Sequence, residues 1–499
     1  MTEREAALEA ELKAARIEVK LLKGKVDALA RMIFGQKSEK LDPNQLMLLQ
    51  GAESKKDDAP APDDESASGA SKPQRKRRAS PSRPRVPDHL PVKEIVIDPD
   101  AVKANPNQWR QIGEEVSEQL DYSPAHFLKQ RLIRRKFVNI DAPFMPPVIA
   151  PLPPCLQERC LATPDLIAQV VVSKYVDHMP LYRQEQIYKS RYGVEIPRQS
   201  QCRWVELAAW WFKPIYQEMI RQQSLRAYLQ IDETPVPYLK PGQGKCLLGY
   251  YWIAGEPGND VIYHWHPGRG AKYLDSIIDE GFEGTLQCDA YKAYSSFQKQ
   301  RAGPLELAGC WAHARRKFYE ALSRAPTAAG WILRQIAQLY LIERRLREQS
   351  AGPALRAAVR HSEAAPILKR IKQALFLLKP RYLPQSDLGK AVGYALNNWT
   401  DLSVFLGNGA VEIDNNLIEN AVRPTKLGAK NWLFIGSEGS GKTSAIIFTL
   451  VESAKRHGLE PHAYLRELLH RLPHTSNHEI PLLTPKAMAK QKARQKSAA

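Results

Sequence analysis

An α/β core carrying a helical insertion, preceded by a coiled coil and a helix-turn-helix region, is the fold class the sequence predicts. Three observations predict it: a heptad seam near the N-terminus, a change to strand-like periodicity at Leu225, and an almost wholly helical pattern over 311–400. The 499 residues suggest roughly three domains, and a hydrophobic fraction of 43% is enough for sizeable cores. Lys and Arg number 72 against 54 Asp and Glu, and the resulting net charge of +18 points to a polyanionic partner. Six cysteines, with only Cys155 and Cys160 close together, do not make a disulfide framework. The opening MTEREAALEAELKAAR lacks the apolar centre of a signal peptide, and no run approaches the roughly 18 apolar residues of a membrane span. The expected setting is cytoplasmic, with nucleic acid rather than membrane as the partner.

In chain order, the coiled coil is expected over 3–40. Leu12, Val19, Val26 and Ile33 fill a positions and Leu8, Ala15, Leu22 and Leu29 fill d positions. β-Branched a residues with Leu at d favour a parallel pair, so a homodimer through residues 8–33 is expected. Residues 51–87 hold almost no large apolar side chain and read as a disordered linker. Its run Arg75-Lys76-Arg77-Arg78 reads as a solvated tether or a non-specific phosphate contact. Residues 89–141 read as a small β-rich module, followed by a Pro-rich connector over 142–154. Within 155–222, the helical patterns Pro164–Tyr175, Leu181–Tyr192 and Pro197–Gln222 are joined by short turns, as in a helix-turn-helix. Arg183, Lys189, Arg191, Arg198 and Arg203 would supply phosphate-binding charge there, although three short helices also suit a plain scaffold.

The first part of the core is expected over 225–310. Leu225–Ile231, Leu247–Ala254 and Asp260–His266 are strand-like, Ala271–Glu280 is helical, and Thr285–Cys288 is a fourth short strand. Three strands, a helix and a further strand is the opening order of a ribonuclease-H-like fold. The insertion follows over 311–400. The last part of the core, 401–475, is expected to contain a short helix Asn415–Arg423 ended by Pro424, a strand Asn431–Ile435, and helices Ser444–His457 and Pro461–Leu472. Residues 476–499 form a basic tail.

Three acids stand where an acid is awkward. Asp232 closes the apolar strand Tyr228–Ile231, Asp289 closes Leu286–Cys288, and Glu419 lies on the helix after Asp414. In the expected strand order the first and fourth strands are neighbours, and a later helix can bring the third carboxylate over them. Converging carboxylates repel unless divalent metal neutralises them, and hard oxygen ligands select Mg²⁺ or Mn²⁺. Two such ions about 4 Å apart suit phosphodiester chemistry. Any one of these acids alone would read as a cap or turn residue; their joint placement favours the metal site.

The motifs Asp232-Glu233-Thr234-Pro235, Cys288-Asp289-Ala290-Tyr291 and Cys310–Phe318 (CWAHARRKF) occur in that order. Asp414-Asn415-Asn416…Glu419…Arg423-Pro424 and Asn431-Trp432-Leu433-Phe434 follow them, while Phe34–Glu39 and Pro180–Glu185 precede. This series resembles the transposases of insertion sequence family 66. The resemblance implies a DDE transposase with Asp232, Asp289 and Glu419 as its triad and two Mg²⁺ or Mn²⁺ ions. It further implies transposon ends and target DNA as partners, together with accessory proteins of the same element. Members commonly carry a Cys-x-x-Cys zinc module before the helix-turn-helix, but here 104–109 and 137–140 contain no cysteine, so no structural zinc is expected.

Further candidates are secondary. Cys310 and His313 form a C-x-x-H pair, which alone is half a zinc site, and with Arg315 and Arg316 they are candidate DNA contacts. Arg423, four residues after Glu419, shares its helix face and would hold a phosphate. Lys426, a further candidate DNA contact, would fall beyond the helix end expected at Pro424. His264 and His266 share a strand face and read as packing residues. Gly436–Thr443 (GSEGSGKT) satisfies the P-loop pattern, but too little chain follows for the usual parallel strands, so no nucleotide site is expected. The rival readings are a P-loop ATPase acting on DNA and a non-catalytic dimeric DNA-binding protein. The charge is unevenly spread: 311–400 carries +11 and 421–499 carries +8, whereas 231–310 and 401–420 together carry −7. The pattern suits a metal-dependent centre flanked by DNA-gripping surfaces.

Overall fold

A computed structural model describes residues 127–130, the short strands Lys136–Phe137 (β1) and Val148–Ile149 (β2), and residues 154–498 apart from 241 and 243. The expected coiled coil, the linker and most of the β-rich module lie outside the described residues. β1 and β2 pair antiparallel.

Three helices come next: Pro164–Tyr175 (α1), Leu181–Tyr192 (α2) and Arg198–Ser224 (α3). Thr163 caps α1 by accepting the Leu166 N–H, with Pro164 just inside the start. Gly193, at φ +64°, closes α2 in the left-handed conformation that glycine adopts without strain. α3 buries Trp204, Ala208, Phe212, Ile215 and Met219 along one stripe.

The sheet comprises Tyr228–Leu239 (β3), Cys246–Gly255 (β4), Val261–His266 (β5), Gly284–Gln287 (β6) and Leu305–Ala308 (β7), in the order β5-β4-β3-β6-β7. β3, β4 and β5 are antiparallel, while β6 pairs parallel with β3 and with β7. Alternation sorts the side chains to two faces. Val236, Tyr238, Tyr251, Ile253, Tyr263 and Trp265 share a core with α1 and α3. Leu229, Ile231, Trp252 and Ala254 face a second core that includes Ile277, Phe282, Tyr294 and Phe297. The expected helix Ala271–Glu280 is only a 3₁₀ turn, Ala271–Ser276. The helix Lys292–Gln300 (α4) and β7 were not foreseen, because a four-residue strand such as Leu305-Glu306-Leu307-Ala308 is too short to show a period.

The insertion consists of Trp311–Ala321 (α5), Pro326–Glu348 (α6), Pro353–Val359 (α7), Ala365–Leu378 (α8), Asp387–Asn397 (α9) and Trp399–Gly407 (α10). It has its own apolar core. Within it lies Arg360, fully buried, which donates to Glu343 Oε1 at 2.7 Å and Oε2 at 2.8 Å, and to the Phe405 and Asn408 carbonyls.

The chain then forms Asn416–Trp432 (α11), Glu438–Arg456 (α12), Pro461–Arg471 (α13) and Pro485–Ala498 (α14). Two expectations are corrected here. Pro424 does not end the helix, which runs on to Trp432: Ile418, Ala421, Thr425 and Gly428 form a buried stripe, and packing outweighs the hydrogen bond that proline removes. The strand expected at Asn431–Ile435 is reduced to a single bridge between Tyr238 and Ile435, since its first two residues belong to α11.

The P-loop-like segment is also helical, beginning α12 with Ser437 as cap. Ser440 N–H donates to Ser437 Oγ and Gly441 N–H to the Ser437 carbonyl, so these amides are used within the helix instead of cradling a phosphate. Gly441 is needed because a Cβ there would sit 2.4 Å from Trp265. At the sheet edge, Thr449 and Ser453 hydroxyls on α12 accept the outward N–H groups of Tyr263 and Val261. The edge is thereby covered. No helix among the described residues is long and apolar enough to cross a membrane.

His264, on β5, is buried beside Tyr216, and desolvation lowers its pKa to about 3. The unfolded chain therefore binds one more proton than the folded chain between the ordinary histidine pKa of 6.5 and about 3. Stability from this group is fully present above that window and is lost as pH falls through it. His264→Gln is expected to reduce the slope of unfolding free energy against pH there by up to about 1.4 kcal/mol per pH unit. Denaturant titrations at a series of pH values check this.

Candidate active site

Asp232 does not end β3, as expected, but stands in its middle. The parallel ladder with β6 stops at Gln230, while the antiparallel ladder with β4 continues to Leu239. Asp232 therefore lies just past the point where β3 loses one neighbour. That same open side accommodates Pro235 and Pro237, which cannot donate to a ladder. Asp289 follows β6 by two residues, and its Oδ1 accepts the Tyr291 N–H at 3.0 Å. Glu419 sits in the first turn of α11.

These elements place Glu419 and Asp289 within electrostatic reach of Asp232. Burial, then the charges of Glu233, Glu419 and Asp289, push the Asp232 carboxyl well above the ordinary carboxylate range. Strand alternation sends Asp232 and Glu233 to opposite faces. Glu233 is buried, takes a hydrogen bond from Tyr294 and pairs with Arg269, whose Nε donates to Oε1 at 2.6 Å. Burial still raises its pKa, opposed by Tyr294 and Arg269. Arg269 lies 3.8 Å over the Tyr291 ring and 4.0 Å from Asp289 Oδ2. No spacing in the sequence marks Arg269 or Tyr294 as a partner of Glu233.

A second group missed at the sequence level holds the third acid in place. Gln230 and Gln287 each lie two residues before an aspartate and are wholly buried. Gln230 Nε2 donates to Gln287 Oε1 and to the Asp414 carbonyl, both at 2.9 Å. Gln287 Nε2 donates to the Glu412 carbonyl at 2.8 Å and the Gly309 carbonyl at 3.2 Å. The Tyr228 hydroxyl donates to Gln287 Oε1 and accepts the Glu412 N–H. The network thus ties the 412–414 strap, which leads into the Glu419 helix, to the two strands that precede Asp232 and Asp289. On the insertion side, Arg356 bridges Glu343 and Glu412, at 3.2 and 2.8 Å.

The secondary candidates divide. Cys310 is buried as the N-cap of α5, and His313 Nδ1 lies 3.5 Å from Glu419 Oε1, so this pair reaches the acids. Arg316 and Arg423 are exposed, and Arg315 is partly buried. Lys426 is on α11 after all, one side of it anchored: its Nζ donates to the Pro235 carbonyl at 2.7 Å. Arg183 and Arg198 are exposed on α2 and at the start of α3, whereas Lys189 is paired with Glu195 at 2.7 Å.

Residues 159–443, which span the sheet, the insertion and Glu419, match the family model described as "Transposase IS66 family". The chain belongs to the IS66 transposase family. Two further models match its ends, "Transposase C of IS166 homeodomain" over 21–95 and "IS66 C-terminal element" over 449–485. Among its relatives, the uncharacterized protein y4jD of Sinorhizobium fredii is 34% identical over 475 residues, covering 90% of this chain and 91% of that protein. The uncharacterized protein y4qI of the same organism is 34% identical over 412 residues, covering 79% and 75%. The IS66 match therefore includes every acid of the site and the whole of the insertion.

Proposed function

We propose that this IS66-family protein is a DDE transposase whose ribonuclease-H-like core uses Asp232, Asp289 and Glu419 to hold two Mg²⁺ or Mn²⁺ ions. The observation that carries the reading is the Asp232 carboxyl, which is buried and whose charge is opposed by Glu419 and Asp289 as well as by Glu233. Such a set suits hard divalent cations, and the sheet order β5-β4-β3-β6-β7 supports the fold assignment. When bound, the cations would neutralise the acids, activate the attacking oxygen and stabilise the leaving oxygen.

The chain's own residues do the rest. Arg269 pairs with Glu233 and Tyr294 donates a hydrogen bond to it, which together hold it on the face opposite Asp232. The glutamine network fixes Glu419 against the two aspartates, so that the site is preorganised. Exposed Arg316 and Arg423 would take phosphate oxygens near the cut, and Arg183 and Arg198 would grip the duplex at the end sequence. Water attacks the phosphorus at the transposon end and the P–O3′ bond breaks, leaving a 3′-OH and a 5′-phosphate. That 3′-OH then attacks a target phosphodiester and displaces its 3′ oxygen. The expected N-terminal pairing of residues 8–33 would bring two ends together, with the element's accessory proteins as further partners.

The test is incubation of the full chain with duplex DNA bearing its element's terminal repeats. Cutting that leaves a 3′-OH at the end, requires Mg²⁺ or Mn²⁺, and stops with EDTA is expected. Cutting that persists in EDTA contradicts the reading.

A further inference from the structure

Cys310, His313 and Glu419 make a cluster of a different chemical character from the three acids. Cys310 caps α5, His313 lies one turn along the same helix, and Glu419 projects from the first turn of α11. One donor atom from each lies within 4.8 Å of the other two. His313 Nδ1 and Glu419 Oε1 are shielded from water, and neither has a hydrogen-bond partner although they are 3.5 Å apart. Stranding two such atoms is costly, and a cation between them would satisfy both. Tetrahedral bonds of about 2.0 Å to nitrogen and oxygen place those atoms roughly 3.3 Å apart, close to the separation found. The Cys310 sulfur is buried at the start of α5, beside the backbone N–H groups of Asn415 and His313. The His313 and Glu419 side chains are 24% and 23% exposed, so a cation can enter from solvent, with a fourth position left for water.

We propose that Cys310, His313 and Glu419 form a transition-metal site for borderline-soft divalent cations of the Zn²⁺ type. A thiolate and an imidazole select Zn²⁺ or Co²⁺ over Mg²⁺, whose preference is oxygen. On binding, the Cys310 S–H bond releases its proton to solvent as the sulfur–metal bond forms, with no change of oxidation state. Cation binding here stands by itself. Its consequence rests on the proposed Mg²⁺ site: Glu419 belongs to both sets, so Zn²⁺ occupancy would draw it from the aspartates and inhibit cutting.

The full chain, reduced and stripped of metal, is titrated with Co²⁺ while its absorption spectrum is followed. The expected result is a saturable one-equivalent thiolate-to-cobalt charge-transfer band with tetrahedral visible bands, displaced by Zn²⁺. Affinity should fall by about 100-fold or more in Cys310→Ser and in His313→Ala. The band should persist in Asp232→Asn, which separates this site from the Mg²⁺ reading, and in a Cys155→Ser, Cys160→Ser double variant. Absence of the band in the wild type, its survival in Cys310→Ser, or its loss in the double variant overturns the proposal. If Cys310→Ser loses the wild-type circular dichroism, His313→Ala decides, and wild-type Co²⁺ affinity there overturns it. Zn²⁺ that binds without slowing Mg²⁺-dependent cutting overturns the competition.

Discussion

Asp232→Asn is expected to lower Mg²⁺-dependent cutting of end DNA by about three orders of magnitude or more, because metal stabilisation of the developing charge is worth several kcal/mol. The change is nearly isosteric, and the Asp232 Oδ1 that accepts the Glu233 N–H can be replaced by the amide oxygen. It removes a charge that burial and three neighbouring acids oppose. In EDTA the variant is therefore expected to melt at or above the wild-type temperature, despite being inactive. Parallel cleavage assays and thermal melts check both halves. A variant that melts several degrees lower would mean that Asp232 serves the fold rather than the chemistry.

The second large effect is expected at Gln287, which touches no reacting atom. Gln287→Leu leaves the Tyr228 hydroxyl without its acceptor and the Glu412 and Gly309 carbonyls without their side-chain donor, while the Gln230 amide keeps the Asp414 carbonyl. Each buried group so stranded costs about 1–3 kcal/mol, and a total loss of about 3 kcal/mol or more is expected in urea or guanidinium unfolding. Cutting should also fall at temperatures where the variant is still folded, since the 412–414 strap that sets Glu419 is released. Asp289, by contrast, keeps its own contact with the Tyr291 N–H. A stability change under about 0.5 kcal/mol, with activity intact, would show that the network is dispensable.

The parts of the fold legible in the sequence were those with long, regular periods. β4 and β5 show as apolar and aromatic runs, α3 and α6 as stripes of apolar residues, and the insertion as uninterrupted helix. Asp232, Asp289 and Glu419 were visible as acids at strand and helix positions where burial makes an acid expensive. What stayed hidden depends on tertiary contact. Pro424 reads as a stop, yet the buried stripe from Ile418 to Gly428 carries α11 through it. Gly436–Thr443 satisfies the P-loop pattern that the short chain after it already argues against, but the reason for its glycine is tertiary: Gly441 is small because Trp265 lies against it. Gln230 and Gln287 carry no signal of their own in the sequence, because their partners at 412–414 are more than a hundred residues away. Glu233, next to Asp232 in sequence, is turned by strand alternation toward Tyr294 and Arg269, partners that no spacing marks.

The most direct test of the central claim, that the three acids hold divalent metal against the scissile phosphate, is cutting of an end DNA whose scissile non-bridging oxygen is replaced by sulfur. Sulfur binds Mg²⁺ poorly and softer Mn²⁺ better. The account predicts that one phosphorothioate diastereomer is cut far more slowly than the oxygen substrate in Mg²⁺ and recovers in Mn²⁺. Equal cutting of oxygen and sulfur substrates in Mg²⁺, with both diastereomers, would contradict it.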